Sequence, residues 1–562
     1  MKQIFKSIAF VAIATSSVLL SSCTSKAEDE PQVITGESAW KTDQQALATV
    51  NAAYSPIQRL SSSYSFLLES QTDATVSFEG ADDQNGPLVS LFKTDPNNSY
   101  ANKIFNYEYV SIGEANRSIE KADSSHVADN LSQQTIDLVK ARAKFIRGLD
   151  YLYLTQLYGE VPIILSTTAT TAEQTTRRSI DDVYTQIVKD LTEAEAGLPS
   201  YDQIRSNPSK GSANAILARA YLSWASNPLT QAQVAAIATT QTDPAAPTWD
   251  QPRLQLAIDY ANKVINSGNF ALEANFENNF GVPAEDRSVE HIFTIHHDGD
   301  GIDAQGNHQT HCPFTFRFDL YQDNHIGPAD VSLLSLFSSN DKRKRISILD
   351  SLYNQDELIA PKAISRASYK GYAYQFPVTS PRIGKWIHRN ATYPEVAPGS
   401  AAAQPNDINR IEIRYAEVLL IKAEALLNQG KATDAATVIN LLRTRAGVST
   451  YTTLTQAQLE NEWNLELFFE QHRWINLTRW HKLVSTVKTN VPTYEYYKAK
   501  YADATTIATS FGVATSTTNY PFFAKIYKHL HSKVDNVSGK FYRFPIPKIA
   551  GTDRGIAQNP GY

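Results

Sequence analysis

Sulfur-bearing residues are almost missing: 562 residues hold two Cys and one Met. Cys23 follows an apolar leader, which leaves Cys312 without a partner for an internal disulfide. A lone cysteine of this kind reads as a small buried apolar residue rather than a nucleophile. A strong charge of one sign is also missing, with 52 Lys and Arg against 58 Asp and Glu and a net charge of −6. That balance excludes a nucleic-acid binder unless a local basic patch exists. The only short basic cluster, Lys342 to Arg345, reads as solvated surface. Beyond the leader no apolar run reaches the roughly 18 residues that a membrane-crossing helix needs. There is no phosphate-cradling glycine loop, no Gly-x-Ser-x-Gly elbow and no His-Glu-x-x-His. Carboxylates are plentiful, but nothing singles out a glycosidase pair.

What is present is an ordinary globular composition, 42% apolar and 20% charged, able to bury a large core. Lys2 and Lys6 precede an apolar stretch from Ile8 to Leu20 that is too short to span a bilayer as a mature helix. Leu20-Ser21-Ser22-Cys23 then has the pattern of a bacterial lipobox. The expectation is a signal peptide over 1–22, removed before a Cys23 carrying a diacylglycerol, and a lipidated tether over 23–36. Acylation with more than one chain anchors durably, unlike a single myristoyl group. Residues 37–562 are then expected to form one domain.

Much of that domain reads as helix pairs. "SIDDVYTQIVKDLTEAEAGLP" opens with a Ser cap and carries Ile180, Val183, Ile187 and Leu191 at helical spacing. "GSANAILARAYLSWAS" strings small Ala residues along a helix, and "LQLAIDYANKVINSGNFAL" stops at Gly268. In "RIEIRYAEVLLIKAEALLNQGKATDAATVINLLRTRAG", small residues face each other across a short hairpin, in a unit of about 34 residues that resembles a tetratricopeptide repeat. The predicted fold is mainly α: a tetratricopeptide-like scaffold including 104–270 and 410–483, with a second, irregular half. That half comprises long insertions at 72–103, 279–409 and 485–540, rich in Gly, Asn, Ser and aromatics. Loops of this length in a compact protein are functional or disordered, and the aromatics argue against disorder.

Several segments together resemble the SusD/RagB family of Bacteroidota nutrient-binding lipoproteins. They are "YEYVSIGEANRSIEKAD", "ARAKFIRGLDYLYLTQLYGEVPII", the hairpin at 410–447, "ELFFEQHRWINLTRW" and the closing "FYRFPIPKIA…IAQNPGY", in the expected order. The acidic run in "KAEDE" after Cys23 is similar to the surface-export tag of such lipoproteins. The chain departs from the family pattern in two places. Leu465-Glu466-Leu467-Phe468 stands where relatives carry more Arg and Glu, and the 78–103 loop has Phe92 but no Trp. The resemblance implies an outer-membrane, surface-exposed lipoprotein and a SusC-like TonB-dependent transporter as partner. It implies that the irregular, loop-rich half carries the ligand surface, and capture of ligand rather than catalysis.

Sugars lay their C–H faces on aromatic rings while amides, acids and Arg take the hydroxyls. Trp386 and Tyr321 sit in insertions without helical periodicity and are the leading stacking candidates, with Phe92, Tyr100, Tyr372 and Tyr374 behind them. Polar partners are expected at Asp73, Asn85, Arg382 and Asn324. Trp224, Trp463, Trp474 and Trp480 lie in helical motifs and read as structural. In "HHDGDGIDAQGNHQTHC", Asp298, Asp300 and Asp303 offer hard oxygens suited to calcium. The EF-hand pattern fails, however, with Ile302 at its fifth position and no closing Glu, so a loop without a cofactor is expected and calcium is the alternative. The nearby histidines and Cys312 lack a zinc-finger spacing. "LELFFEQHRWINLTRWHKL" (465–483) reads as one buried helix, apolar on both sides, with Glu470 pairing to Arg473 along it. Glycan is the favoured ligand. A peptide-binding lid of the RagB type, an all-helical glycoside hydrolase and a purely structural lid are the rivals.

Overall fold

The computed structural model describes residues 40–77, 85–124, 131–280, 288–297, 326–328, 336–349, 382–383, 385, 409–491, 532–549 and 551–562. The leader, Cys23, the tether and Cys312 lie outside them. The chain enters through α1 (Asp43–Gln58), α2 (Ser61–Ser70) and the short strand β1 (Thr75–Ser77). It then forms α3 (Ser99–Ser124), α4 (Gln133–Tyr158), α5 (Ile180–Gly197), α6 (Lys210–Ala225) and α7 (Gln251–Asn266). Strands β2 (His291–Ile295), β3 (Ile326–Pro328), β4 (Ile348–Leu349), β5 (Arg382–Ile383) and β6 (Arg410–Arg414) follow. Helices α8 (Tyr415–Asn428), α9 (Ala432–Ala446), α10 (Gln456–Glu466), α11 (Arg473–Arg479) and α12 (Leu483–Asn490) come next.

Every helix from α3 to α9 packs on the next one along the chain, which is the nearest-neighbour stacking of a helical-repeat scaffold. The mainly α, tetratricopeptide-like fold expected from the sequence is therefore present. Its elements start where local chemistry satisfies the free N–H groups of a helix end. Ser132 accepts from Thr135 N, Ser179 from Asp182 N, and Asp250 from Arg253 N. Along α5, Ile180, Val183, Ile187 and Leu191 are buried as the 3.6-residue spacing demands, each such burial contributing about 1.5–3 kcal/mol. The α4–α5 contact is close because Gly148 has no side chain: a Cβ there would lie 2.8 Å from Leu191 Cγ. The hairpin of α8 and α9 closes as predicted, with Gly447 left-handed at the end of α9.

The chain leaves the stack after α7 and returns at α8, yet these two helices pack together. The excursion is closed by an antiparallel ladder in which His291 of β2 pairs with Arg414 of β6 and Ile295 with Arg410. β1 pairs with β3, and β4 with β5, so the short strands are contacts between insertion segments.

Two expectations change. The 465–483 stretch is not one helix: α10 ends at Glu466, Phe469 and Gln471 take φ of 61° and 69°, and α11 starts at Arg473. The cause is a competing donor. The Glu466 carbonyl, which a continuous helix would give to Glu470 N–H, accepts instead from Arg414 Nη2 at 2.7 Å and Lys385 Nζ at 2.9 Å. Glu470 consequently faces Arg414 and not Arg473. The core reading of the indoles stands, because Trp463, Trp474 and Trp480 are buried. Trp224 is half-buried between a stacked Tyr184 at 5.5 Å and Arg253 at 3.9 Å. The second change concerns the basic cluster 342–345. Arg343 is fully buried and bonded to Asp341, Glu462 and Glu466, and Arg345 is paired with Glu277.

Candidate functional site: a buried charged seam at the roots of the insertions

Strand β6 has Ile411 and Ile413 alternating with Arg410, Glu412 and Arg414, and all five are buried. An arginine in the interior needs carboxylates and full hydrogen bonding to be tolerated. Arg414 obtains both. Its Nη1 donates to Glu290 and Glu466, each at 2.6 Å, and its Nε donates to Glu470 at 2.8 Å. Arg445 from α9 reaches the same Glu290 and Glu466, and Arg343 reaches Glu466 and Glu462. Burial alone would raise the Glu466 carboxyl, but Arg445, Arg414 and Arg343 together hold it well below the usual carboxylate range.

This seam holds the insertions to the scaffold. Lys385, deep in the 279–409 insertion, donates to Glu470 at 2.6 Å, and burial pushes its pKa down to about 8 despite that partner. Asp73, at the root of the first insertion, takes a fork from Arg473 and a further bond from Asn490 Nδ2 at 2.8 Å. Asn490 ends α12, where the 485–540 insertion departs. At the far end of that insertion, Lys533 Nζ donates to the Ser70 carbonyl at 2.8 Å. Glu69 accepts from Gln471 N at 2.6 Å, and burial, only partly opposed by that bond, raises its pKa to about 8.

The residues proposed for ligand fall into two groups. Asp73, Phe92 and Tyr100 are buried, and as placed they offer no surface to a ligand. Phe92 packs edge-on against Phe541 at 5.1 Å. Asn85 is half-buried and accepts from Ser99 N at 3.0 Å, at the start of α3. These four join the 72–103 insertion to the scaffold. Arg382 pairs through its backbone with Leu349. Trp386, Tyr321, Tyr374, Tyr372 and Asn324, and the candidate calcium ligands Asp298, Asp300 and Asp303, lie outside the described residues. His297 is described and buried, with its N–H bonded to Asn409 Oδ1 at 2.7 Å.

Sequence reasoning missed Lys385, Arg414, Glu466 and Glu470 as the pivot of the molecule. A signal existed in "RIEIR", where charges alternate with isoleucines in a strand whose both faces are covered.

One pair of acids departs from this pattern. Glu108 and Asp150 face each other in the helical core, both buried, and both have carboxyls raised by loss of water. Tyr64 OH donates to Glu108, and Arg410 lies over the Tyr64 ring at 5.1 Å. Enclosed by helices, this pair has no access to a substrate and serves as internal polar packing.

A family model described as the SusD family matches residues 291–562, and another, described as starch-binding associating with outer membrane, matches 44–222. SusD-like protein P2 of Formosa agariphila is 26% identical over 488 residues, covering 81% of this chain and 87% of its own. A solved SusD superfamily protein from Bacteroides vulgatus superposes with a TM-score of 0.66 at 20% identity, covering 93% of this chain and 100% of its own. A laminarin binding SusD-like protein superposes with a TM-score of 0.63 at 20% identity, covering 92% and 99%.

Proposed function

The chain belongs to the SusD family, and from that premise we propose that it is a surface lipoprotein that captures glycan and delivers it to a SusC-like TonB-dependent transporter. The observation that carries the reading is the pairing of this family's two models with a helical scaffold whose charged seam roots three long insertions. A binding surface built on loops is most effective when rigid elements hold it, because ordering the loops in advance lowers the entropic cost of binding. The model description that mentions starch and the outer membrane, and a structural neighbour that binds laminarin, favour carbohydrate and an outer-membrane location. Cys23 is the proposed lipid attachment. Trp386 and Tyr321 are the proposed stacking platforms, with Arg382, Asn324 and Tyr374 as further proposed contacts. The mechanism is capture: the ligand bridges lipoprotein and barrel, and transport energy comes from the inner membrane.

The test is a binding panel of soluble polysaccharides and of peptides with the protein lacking its lipid. A glycan is expected to bind, and Trp386→Ala and Tyr321→Ala are each expected to weaken it about tenfold, the loss of one stacked ring. Binding of peptides alone, or turnover of a polysaccharide by the wild-type protein, would overturn the reading. Unchanged affinity in both variants would remove these two residues from the site.

A further inference from the structure

Helices α3 and α4 meet around two acids that the proposed capture of ligand does not use. Glu108 of α3 is 1% exposed and Asp150 of α4 is 0% exposed, and their carboxyls lie within hydrogen-bonding reach of each other. Among the described residues only Tyr64 of α2 donates to them, through its hydroxyl to Glu108 Oε1. Glu108 Oε2 and both Asp150 oxygens receive no other donor. A carboxylate out of water with its oxygens unmet is far costlier than one that is hydrogen-bonded.

The donors around the pair are directed elsewhere. Ser111 of α3 gives its hydroxyl hydrogen to the Ala53 carbonyl of α1 at 2.8 Å, and Tyr158 of α4 gives its own to the Ala101 carbonyl at 2.7 Å. Tyr151 donates to the Ile164 carbonyl at 3.0 Å and Tyr153 to Glu412 of β6 at 2.7 Å. Arg147 of α4 is taken by Asp190 of α5, at 2.9 Å through Nε and 2.6 Å through Nη2. The Tyr54 hydroxyl of α1 and the Arg142 Nε–H of α4 are unpartnered and reach neither acid.

Counter-charge is short as well. The cation that acts on Glu108 is Arg410 of β6, whose Nη2 lies 3.1 Å from Glu412 and whose Nη1 donates to Gln471 at 3.1 Å. Arg219 of α6 is bound by Glu412 and Glu417. His472 lies 3.5 Å from Glu417, and burial lowers its pKa. Glu412 and Glu417 therefore hold both arginines in ion pairs, and neither Glu108 nor Asp150 has an ion pair among the described residues. Two carboxyls side by side without a counter-charge cannot both ionise, whereas a proton between them turns repulsion into a hydrogen bond. Loss of water raises both, Asp150 to about 8.

We propose that Glu108 and Asp150 hold a proton between them in the folded chain, taken up as α3 and α4 close and released when they part, which makes the scaffold sensitive to alkali. In the unfolded chain both acids ionise in the ordinary carboxylate range. The folded chain therefore binds the extra proton above that range, and the stability it contributes is lost as pH rises toward about 8.

The experiment compares the lipid-free wild-type chain with the nearly isosteric double variant Glu108→Gln, Asp150→Asn, whose amides bring their own N–H groups and cannot titrate. Urea unfolding is followed from pH 5 to 7, and other titrating groups cancel in the comparison. The wild-type unfolding constant, relative to the variant, is expected to rise about tenfold for each pH interval of one, the signature of one proton held by the folded chain. Equal pH dependence in the two chains would overturn the proposal. Infrared spectra of the folded wild type at pH 7 supply a test that needs no variant to fold. They should contain the C=O stretch of a protonated carboxyl, part of which disappears in Glu108→Gln or Asp150→Asn. Absence of that band from the wild type, or its full retention in both single variants, would equally overturn the proposal.

Discussion

Arg473 and Asp73 lie 400 positions apart and share a two-pronged ion pair, Nε to Oδ1 at 2.8 Å and Nη2 to Oδ2 at 2.7 Å. Both residues are buried. Asn490 donates to the same carboxylate, so one acid joins the roots of two insertions to the start of α11. Asp73→Asn and Arg473→Met are each expected to cost about 3–5 kcal/mol, because either leaves a buried charge alone. Combining Asp73→Asn with Arg473→Met should cost less than the sum of the two single changes. Urea denaturation of the set checks this; strictly additive losses would rule out a coupled pair.

Lys385 has a folded pKa of about 8 against an ordinary 10.5, because its burial outweighs Glu470. The unfolded chain therefore holds more protons on this group between those values, and stability contributed here rises with pH across that window. Lys385→Met removes the titration while leaving Glu470 bonded to Arg414. The stability difference, wild type minus variant, should climb as pH goes from 8 to 10.5. A flat difference would show that the ammonium keeps its water in the folded chain.

Glu69 behaves in the opposite sense. Its carboxyl is raised from 4.5 to about 8 by burial, so the folded chain binds the extra proton and its contribution to stability is lost as pH rises through that range. Glu69→Gln mimics the protonated acid. Its stability relative to wild type should improve between pH 4.5 and 8, by about 1.4 kcal/mol for each pH interval of one across that window. Thermal melts over the same range read the trend directly.

Gly148 tests the packing of the stack. A Cβ at this position would meet Leu191 Cγ at 2.8 Å and Cδ2 at 3.1 Å. Replacing a helical glycine by alanine gains roughly 1 kcal/mol from backbone entropy, but crowding a filled core costs about 1–3 kcal/mol. Gly148→Val adds more bulk and carries the poorer helix propensity of a β-branched residue. It should therefore lower Tm further than Gly148→Ala, and a second change, Leu191→Ala, should recover part of the loss.

Much of the scaffold was legible along the chain. The Ser179 cap, the Ile180 to Leu191 stripe and the Gly447 stop are local signals, and each element formed where its signal stood. The core role of Trp463, Trp474 and Trp480 was equally legible, since apolar residues at helical spacing bury together. The site was less so. Asp73, Phe92 and Tyr100 have the residue types of a ligand surface, but whether an aspartate faces solvent or an arginine 400 positions away is not written in its neighbours. Lys342 to Arg345 failed for the same reason: Arg343 is interior only because α10 brings Glu462 and Glu466 to it.

The sequence by itself determined the helical class, local starts and stops such as the Ser179 cap and the Gly447 end, the stripes that stack the helices and the order of the family's motifs. These follow from hydrogen-bond satisfaction and periodicity, which act over a few residues. Only the tertiary structure decided that α10 breaks at Glu466, that Glu470 serves Arg414 rather than Arg473, and that Lys385 is interior. Buried charges are settled by partners, and partners are matters of three-dimensional distance. Helix continuity itself yielded there, because a guanidinium and an ammonium in a dry interior compete for a carbonyl more strongly than the helix's own amide does.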